Sequence, residues 1–418
     1  MKLYEHQKAG LHEAEDLDHV AFYWDMGTGK TYVGSEKMMQ LGAKINLVVC
    51  QKSKVQDWID HLFDNYADWI VYDGTKYECL QRFFDYPFDE KQVVVINYDL
   101  LWRRPQLLAL SNFTLLLDES SLIQNETAKR TKFILKMKPK NVVLLSGTPT
   151  GGKYEKLWSQ MHLLGWNISK SMYWNQFVKV EYLDTVGRSI PIVTGYKNVE
   201  RLKRKMRIYG CQFLKTEDVF DLPHQNFQKI RVPASKEYKT FRKDKVVDVG
   251  SETLVGDTTL TRMLYERQLC GMYSEAKLKA FEDLVESTEE KLIVFYNFNA
   301  ELDALKNICN VVGKPFDEIN GSRKDLSAYN TKNDSVTFVQ YQAGAMGLNL
   351  QKACRMIFFT LPLSSELFEQ AKKRIHRIGQ DRPCFYYPMI VKGSIEEKIL
   401  ATLEKRKDFT EALFEEGE

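Results

Sequence analysis

Residues 20–31 read VAFYWDMGTGKT. The apolar residues at the start predict a buried strand, and Gly27 and Gly29 permit a tight turn whose backbone N–H groups can approach a phosphate. Lys30 is placed to reach the β- and γ-phosphates of a nucleotide, and Thr31 offers a hydroxyl to Mg²⁺ where a helix begins. The full GxxxxGK[ST] pattern would have glycine at position 24, where this chain has Trp24. The order of strand, glycine-rich turn and helix nevertheless predicts an α/β domain with a phosphate-binding loop.

A second apolar run, LLLDESS at 115–121, ends in two carboxylates. An unpaired charge is costly to bury, so acids at a strand end need a cation, a metal or solvent. A strand that runs out into a polar loop would explain them without any chemistry. The phosphate-binding loop, however, requires a metal. In P-loop enzymes the first acid holds Mg²⁺ and the next orients the attacking water, roles that suit Asp118 and Glu119.

Short apolar runs alternate with longer amphipathic stretches along the whole chain. Valine-rich runs without alternation favour parallel strands covered on both faces, joined by helical crossovers. We therefore predict two doubly wound parallel-sheet lobes, at 1–154 and 286–418, with a helical inter-lobe region at 155–285. The predicted strands are Val20–Trp24, Asn46–Cys50, Val93–Asn97, Leu115–Leu117, Val142–Leu145, Leu292–Phe295, Val336–Val339, Met356–Phe359 and Phe385–Val391.

Composition limits the classes of function. The 418 residues include 59 basic and 56 acidic ones, a net charge of +3, so any nucleic-acid surface must be local. One candidate is RLKRKMR at 201–207, which is equally explained as a solvated helix face. The seven cysteines form no CxxC pair, which argues against a zinc site and a disulfide framework. With no signal peptide and no apolar run long enough for a membrane span, we expect a cytoplasmic protein without a membrane partner.

The second lobe contains FEQAKKRIHRIGQ at 368–380. On a helix, Gln370, Arg374 and Arg377 would share one face, next to an apolar stripe that would anchor the helix to the sheet. Two arginines presented in this way could stabilise charge on a transferred phosphate. An exposed basic helix in ion pairs is the alternative. The stripe consists of Leu367, Ala371, Ile375 and Ile378.

These motifs together resemble superfamily 2 helicase-type motors, and specifically the SNF2 group of DNA translocases. The resemblance extends from one end of the chain to the other, and the helix ending in RIHRIGQ is that group's hallmark. The matching stretches are EHQKAG (5–10), WDMGTGKT (24–31), VVCQKSKVQDW (48–58), LLLDESSLIQN (115–125), LLSGTPT (144–150), DVFDLP (218–223), IVFYNF (293–298), AGAMGLNL (343–350), QAKKRIHRIGQ (370–380) and GSIEEKIL (393–400).

The resemblance implies two RecA-like lobes with ATP and Mg²⁺ between them, and it implies roles for individual residues. Gln7 would read adenine, Arg374 and Arg377 would be arginine fingers, and Thr31 and Asp118 would hold the metal. The remaining ATP-binding residues would be Met26, Gly27, Thr28, Gly29, Lys30, Gly347 and Asn349. Residues that couple hydrolysis to lobe closure would be Ser146, Thr148 and Gln370. Nucleic-acid contacts would come from Gln51, Lys52, Ser53, Asn297, Phe298, Gln342 and Gly344.

The chain departs from the family pattern at two places. Ser120 and Ser121 follow the two acids, where the family's tetrad ends in histidine. A serine has neither the charge nor the reach of an imidazole, so the departure concerns the coupling of ATP to DNA contacts rather than metal binding. Gln51 also replaces the family's usual proline.

The length of the chain predicts a nearly bare motor. It would be targeted by a replication or repair protein or by DNA structure, in a phage (within the host cytoplasm) or a bacterium. The leading hypothesis is an ATP-dependent translocase that grips duplex DNA without sequence preference. A strand-separating DNA or RNA helicase is the first alternative. An ATP-gated module that loads or recruits a replication protein is the second.

Overall fold

The computed structural model describes residues 2–86, 90–185, 188–250, 252–344 and 348–414. The chain forms two compact units. The first comprises the residues up to Val219 together with those from Asp408 onward, and the second comprises Phe220–Lys407. Among the described residues, no helix is both long and apolar enough to cross a membrane.

The first unit is built on a parallel sheet, which within the described residues has the strand order β3-β4-β2-β5-β6-β1-β9. Its strands are β1 (His19–Trp24), β2 (Ile45–Cys50), β3 (Trp69–Asp73), β4 (Lys91–Asn97), β5 (Phe113–Asp118), β6 (Asn141–Leu145) and β9 (Cys211–Leu214), and a separate antiparallel pair is β7 (Val178–Thr185) and β8 (Arg188–Tyr196). Its helices are α1 (Glu5–Glu13), α2 (Lys30–Gln40), α3 (Val55–Asn65), α4 (Tyr77–Asp85), α5 (Tyr98–Leu101), α6 (Lys129–Ile134), α7 (Trp158–Leu163), α8 (Lys170–Phe177) and α9 (Val199–Ile208).

Strand β1 explains why this sheet is buried on both faces. Val20, Phe22 and Trp24 pack into one hydrophobic core, and Ala21 and Tyr23 pack into the other. Side chains alternate between the faces of a strand, so a continuous apolar run fills both cores. The carboxyl ends of parallel strands meet at one edge of the sheet, which is where the glycine-rich turn follows β1.

The second unit has a parallel sheet of its own, in the order β10-β18-β17-β14-β16-β15, with β11 also paired to β18. The strands are β10 (Gln225–Phe227), β11 (Ile230–Val232), β14 (Leu292–Tyr296), β15 (Phe316–Ile319), β16 (Val336–Gln340), β17 (Arg355–Phe358) and β18 (Cys384–Val391), and a hairpin is formed by β12 (Val246–Val249) and β13 (Glu252–Val255). The helices are α10 (Lys236–Asp244), α11 (Thr259–Cys270), α12 (Glu275–Glu286), α13 (Asn299–Val312), α14 (Ser327–Thr331), α15 (Tyr341–Gly344), α16 (Ser365–Lys372) and α17 (Ile395–Phe414). The residues of α17 from Asp408 onward belong to the first unit.

The two predicted doubly wound sheets are confirmed. The region 155–285 was predicted to be helical, but it also contains strands. It contributes β9 to the first sheet and β10 and β11 to the second. It also contains the antiparallel pairs β7–β8 and β12–β13. The sequence VKVEY at the start of β7 alternates apolar and charged residues, a two-residue period that favours a strand over a helix. The three-part division of the chain stays a prediction.

The helix predicted to carry both arginines is shorter than expected. Helix α16 ends at Lys372, so Arg374 and Arg377 lie in the turns that follow it and do not share a helix face with Gln370. The Tyr386 hydroxyl donates to the Lys372 carbonyl at 3.0 Å, which supports the chain where the helix stops. Of the predicted apolar stripe, Ile375 is still buried beyond the end of the helix, but Ile378 is 38% exposed.

Candidate active site

The glycine-rich turn after β1 has the predicted conformation. Gly27 and Gly29 have φ values of 88° and 78°, in the left-handed region that glycine adopts without strain, and α2 begins at Lys30. The Lys30 Nζ donates to the Asp25 carbonyl at 2.9 Å, and the Thr28 hydroxyl donates to the same carbonyl at 2.8 Å. Met26 and Thr31 are half-buried beside these residues. The turn is therefore closed by its own side chains.

Gln7 connects α1 to this turn. Its side chain is 2% exposed, and its Nε2 donates to the carbonyls of Thr28 and Gly29 at 3.2 and 3.3 Å. A Cβ at Gly29 would lie 2.2 Å from that nitrogen, so a larger residue there would displace the Gln7 side chain from these carbonyls. The predicted reading of adenine by Gln7 stays a prediction, because the described contacts of its amide nitrogen are to the turn itself.

Asp118 lies at the end of β5 and is held by two aromatic residues. The Trp58 indole donates to its Oδ2 at 2.8 Å, and the Tyr98 hydroxyl donates to its backbone carbonyl at 2.9 Å. Burial raises the pKa of Asp118 above its usual range, and the Trp58 hydrogen bond and the nearby Lys30 ammonium oppose that rise. Because Trp58 and Lys30 both favour the charged form of Asp118, they favour the carboxylate that a metal ion would bind.

Glu119 follows in an unusual conformation. Its φ and ψ are 58° and 57°, in the left-handed region that non-glycine residues rarely adopt. Such strain costs on the order of 1–3 kcal/mol and concentrates at functional sites. The backbone therefore turns sharply where the water-orienting acid was predicted.

The SGTPT segment follows β6, and it lies beside the glycine-rich turn. Ser146 is fully buried and Thr148 is 6% exposed, and the Thr148 N–H donates to the Ser146 hydroxyl at 3.2 Å. A Cβ at Gly147 would lie 3.5 Å from the Lys30 Nζ. Since β6 pairs with both β1 and β5, this segment follows the strand between those that carry the glycine-rich turn and the acids.

The donor groups suit a nucleotide-bound magnesium ion. Within the described ranges there is no group of three or more His, Cys, Asp or Glu residues that could hold a metal. Magnesium in nucleotide sites needs only one or two protein ligands, since phosphates and water supply the others. The Thr31 hydroxyl at the start of α2 and the Asp118 carboxylate at the end of β5 therefore fit the predicted metal ligands.

The nucleic-acid residues predicted in the first unit lie on the same edge of the sheet. Gln51 follows β2, and β2 is paired with both β4 and β5. Lys52 and Ser53 are exposed, and Gln51 is half-buried. In α9, Arg201 and Arg204 are exposed while Leu202 and Met206 are buried, so both interpretations of this basic run remain open.

Asn297 and Phe298, in the second unit, form a hydrogen-bonded cluster. The backbone N–H groups of both residues donate to Glu301 Oε2, at 3.0 and 3.1 Å. The Asn297 Nδ2 donates to the Thr360 hydroxyl at 2.9 Å and to the Leu361 carbonyl at 3.1 Å. The Asn297 side-chain amide is thus bonded to residues of its own unit. These bonds do not support the predicted contact of Asn297 with a DNA phosphate.

The other residues predicted in the second unit lie in two segments. Arg377 Nη1 donates to the Leu348 carbonyl at 3.3 Å and to the Asn349 side chain, and burial lowers the pKa of Arg377. Arg374 accepts the Leu350 N–H at its carbonyl, at 3.1 Å. Gln370 is 5% exposed and donates to Glu366 at 3.4 Å.

In α15, Gln342 is exposed and Gly344 is the last residue of the helix, whereas Gly347 lies outside the described residues. The structure thus brings Asn349 and Arg377 together within the second unit.

Sequence reasoning missed several residues that position this chemistry. Trp58 and Tyr98 hold Asp118, and the Thr216 hydroxyl donates to the Met26 carbonyl at 2.9 Å. The Arg267 guanidinium lies over the Phe298 ring, 5.1 Å from the ring centroid, and forms a cation–π pair. Only Trp58 lay in a stretch quoted above, VVCQKSKVQDW, and its position at the end of that stretch was the available signal.

Comparisons with known proteins agree with this architecture. Residues 14–275 match the family described as SNF2-related domain, and residues 276–379 match the helicase conserved C-terminal domain. The first match covers more than half of the chain, so together the two define a helicase-type ATPase core. The chain belongs to the SNF2-related family.

Individual relatives are distant. The mouse SWI/SNF-related matrix-associated actin-dependent regulator of chromatin subfamily A member 1 is 22% identical over 365 residues, 78% of this chain and 34% of the relative. The yeast ISWI chromatin-remodeling complex ATPase ISW1 is 23% identical over 430 residues, 92% of this chain and 38% of the relative. The yeast DNA repair and recombination protein RDH54 (strain RM11-1a) is 29% identical over 206 residues, 46% of this chain and 22% of the relative. The chain thus spans well under half of the length of each.

Among solved structures, the chain is similar to the Sulfolobus solfataricus SWI2/SNF2 ATPase core in complex with dsDNA. The identity is 20%, the TM-score is 0.47, and the match covers 98% of this chain and 92% of that one.

Proposed function

We propose that this protein is an ATP-dependent DNA translocase that hydrolyses Mg²⁺-ATP at the site in its first unit. One observation carries the proposal. The glycine-rich turn, the SGTPT segment and the acid pair follow three strands that neighbour one another in the sheet, β1, β6 and β5. This is the arrangement in which a P-loop nucleotide, its metal and its attacking water would meet.

Each residue has a separate role in the proposed hydrolysis. Lys30 would neutralise the β- and γ-phosphates, while Thr31 and Asp118 would hold Mg²⁺. Glu119 would orient the attacking water. Bound Mg²⁺ would neutralise charge that develops on the phosphates. Arg374 and Arg377 remain the proposed arginine fingers.

The proposed polymer is duplex DNA, held mainly through phosphates. With a net charge of +3, the chain requires a local contact surface. In the first unit we assign this role to Gln51, Lys52 and Ser53, which follow β2 at the edge that also carries the acids. Phosphate contacts carry no sequence information, so affinity should vary little with DNA sequence and fall steeply with salt.

We place this activity in DNA replication or repair. One relative is named a DNA repair and recombination protein, and others are named for chromatin. The phage or bacterial setting, and targeting by a replication or repair protein, stay predictions.

The decisive experiment is steady-state ATPase with no polymer, single-stranded DNA, duplex DNA and RNA, together with a strand-displacement assay. We expect duplex DNA to stimulate turnover more than RNA does, with little unwinding of a blunt duplex. The stimulation should fade as salt rises from about 50 to 200 mM. Efficient unwinding would favour the helicase alternative instead, and hydrolysis indifferent to every polymer would favour the loading module.

A variant pair locates the DNA contact. Lys52→Ala should reduce the dependence of the logarithm of affinity on the logarithm of salt by about one unit, because one phosphate contact is lost. Lys279→Ala is the matched control, since Lys279 is exposed but paired with Glu282 and Asp283 on α12. Equal salt dependence in the two variants would remove Lys52 from the contact surface.

A further inference from the structure

Gln160, in α7, joins two segments of the candidate active site through its buried side chain. Its Oε1 accepts the Ser120 hydroxyl at 2.7 Å and the Tyr23 hydroxyl at 3.0 Å. Its Nε2 donates to the Pro149 carbonyl at 2.8 Å. Gln160 and Ser120 are both fully buried. A single amide therefore connects the acid segment after β5 with the SGTPT segment after β6.

The orientation of this amide follows from its partners. A backbone carbonyl can only accept a hydrogen bond, so the nitrogen of Gln160 must face Pro149. The oxygen then faces the two hydroxyls, both of which can donate. Burial raises the pKa of Tyr23 well above its ordinary value, so its hydroxyl keeps the proton that it donates. Both the oxygen and the nitrogen of the Gln160 amide therefore have hydrogen-bond partners, and these bonds fix the side chain in one position.

The two connected segments are those in which catalysis and coupling were predicted. Ser120 directly follows Glu119, the proposed water-orienting acid, and Pro149 directly follows Thr148. In this chain Ser120 and Ser121 also stand where the family's tetrad ends in histidine. The Ser120 hydroxyl and the Pro149 carbonyl both bond to the Gln160 amide, so this side chain joins the two segments.

We propose that Gln160 is a positioning residue that couples the SGTPT segment to Glu119. The Gln160 bridge, defined as Ser120, Gln160 and Pro149, transmits any displacement of the SGTPT segment to the backbone that orients Glu119. Because the SGTPT segment is predicted to couple hydrolysis to lobe closure, the bridge would connect the nucleotide state with DNA binding. The inference rests on the proposed function, because it assigns a route for a coupling that a translocase requires.

Gln124 offers a matched control within the same network. Its Nε2 donates to the same Pro149 carbonyl at 3.2 Å, and this bond does not extend to the Ser120 hydroxyl. Gln124→Leu therefore removes a hydrogen bond to the SGTPT segment and leaves the bridge in place. Gln160→Leu removes the bridge with a side chain of similar size.

The experiment measures coupling as a ratio of affinities. Duplex DNA affinity is determined by fluorescence anisotropy with and without a non-hydrolysable ATP analogue, alongside DNA-stimulated ATPase and thermal denaturation. In the wild type the analogue should strengthen DNA binding. Gln160→Leu should reduce this effect by roughly fivefold or more, the range of ordinary allosteric coupling, with nucleotide-free DNA affinity retained. Gln124→Leu should keep the wild-type ratio.

Ser120→Ala removes the hydrogen bond at the other end of the same bridge. It tests the inference independently if the Gln160 variant does not fold. Because both changes interrupt one connection, the double variant should lose little more coupling than either single variant. A wild-type ratio in folded Gln160→Leu, or additive losses in the double variant, would overturn the inference. A wild-type protein without any nucleotide effect on DNA would instead overturn the proposed function.

Discussion

Asp118, which is half-buried at the end of β5, and Glu301, which is fully buried after β14, are two carboxylates whose surroundings differ. Asp118 accepts the Trp58 indole N–H at 2.8 Å, and the Lys30 ammonium lowers its pKa from nearby. Glu301 Oε2 accepts two backbone N–H groups, at 3.0 and 3.1 Å, and the Thr360 hydroxyl at 2.9 Å. Burial raises the pKa of both, and that of Glu301 reaches about 7.

The difference agrees with a structural role for Glu301 and with the metal-binding role that we propose for Asp118. Glu301 accepts its described hydrogen bonds from neutral donors, and the Lys277 ammonium opposes the rise of its pKa less than those hydrogen bonds do. These hydrogen bonds fix the start of α13 and serve the fold. Asp118 has a cation beside it and a strained neighbour after it. Asp118 lies next to Lys30, the proposed phosphate-binding lysine, and is therefore the acid that we propose shares a metal with the nucleotide.

The largest expected effect tests the acid pair itself. Glu119→Gln keeps the size of the side chain but removes the charge that orients water, so turnover should fall by up to about 10⁴-fold while ATP still binds. Lys30→Ala should weaken nucleotide binding instead. Turnover is measured by phosphate release and binding by a fluorescent ATP analogue. Wild-type turnover in Glu119→Gln would remove the distinction drawn between the two units.

The second-largest expected effect tests whether arginines of the second unit take part in ATP hydrolysis. Arg374→Ala or Arg377→Ala should reduce DNA-stimulated turnover by roughly 10³-fold, the effect of losing an arginine finger, with nucleotide affinity less affected. Thermal denaturation must accompany the measurement, because Arg377 also donates to the Leu348 carbonyl. If both variants hydrolyse ATP normally, the second unit contributes no charge to the reaction.

A smaller effect concerns the indole that holds Asp118. Trp58→Phe removes the donor that lowers the pKa of Asp118, so that pKa should rise further and the carboxylate should protonate at higher pH. Apparent Mg²⁺ affinity should fall by roughly 10–100-fold, and the acidic limb of the pH–rate profile should move to higher pH. Trp69→Phe, another buried tryptophan in the same core, controls for lost packing. Equal Mg²⁺ dependence in both variants would assign Trp58 to packing alone.

The smallest effect on turnover is expected for Glu301→Gln. This substitution should instead change how the stability of the folded protein depends on pH. The pKa of Glu301 is about 7 in the folded state against an ordinary 4.5, so between these values the folded protein holds the extra proton. Stability therefore falls as pH rises from 4.5 towards 7. Glu301→Gln should flatten this dependence in thermal denaturation, whereas Glu286→Gln, at an exposed position, should not. An unchanged pH profile in Glu301→Gln would contradict the comparison.

Long apolar runs made the sheets predictable from sequence. VVVIN and LLLD fill both faces of their strands, and no other element accommodates such runs as well. Strand β9 was missed because CQFL is short and mixed, and its role depends on the edge of β1 that it covers. The end of α16 was also missed, since the sequence up to Gln380 continues a helical pattern. Contacts with Tyr386 and with the Leu348–Leu350 segment decide it instead.

The candidate site divides in the same way. Lys30, Asp118 and Glu119 follow from motifs whose spacing carries the chemistry. Gln160 could not be predicted, because a glutamine in a short helix has no pattern that distinguishes it from a surface residue. Its role arises from the pairing of β6 with β5, which brings two distant loops within reach of one amide.

The left-handed backbone at Glu119 has a consequence for mutational tolerance. That conformation suits glycine, asparagine or aspartate better than glutamate, so a screen for stability alone should enrich those residues at this position. A screen for ATP turnover should reject glycine and asparagine, which lack the carboxylate, and should penalise aspartate for its shorter reach. The two selections conflict at one residue, and thermostabilised versions of this enzyme obtained without an activity filter would tend to be inactive for that reason.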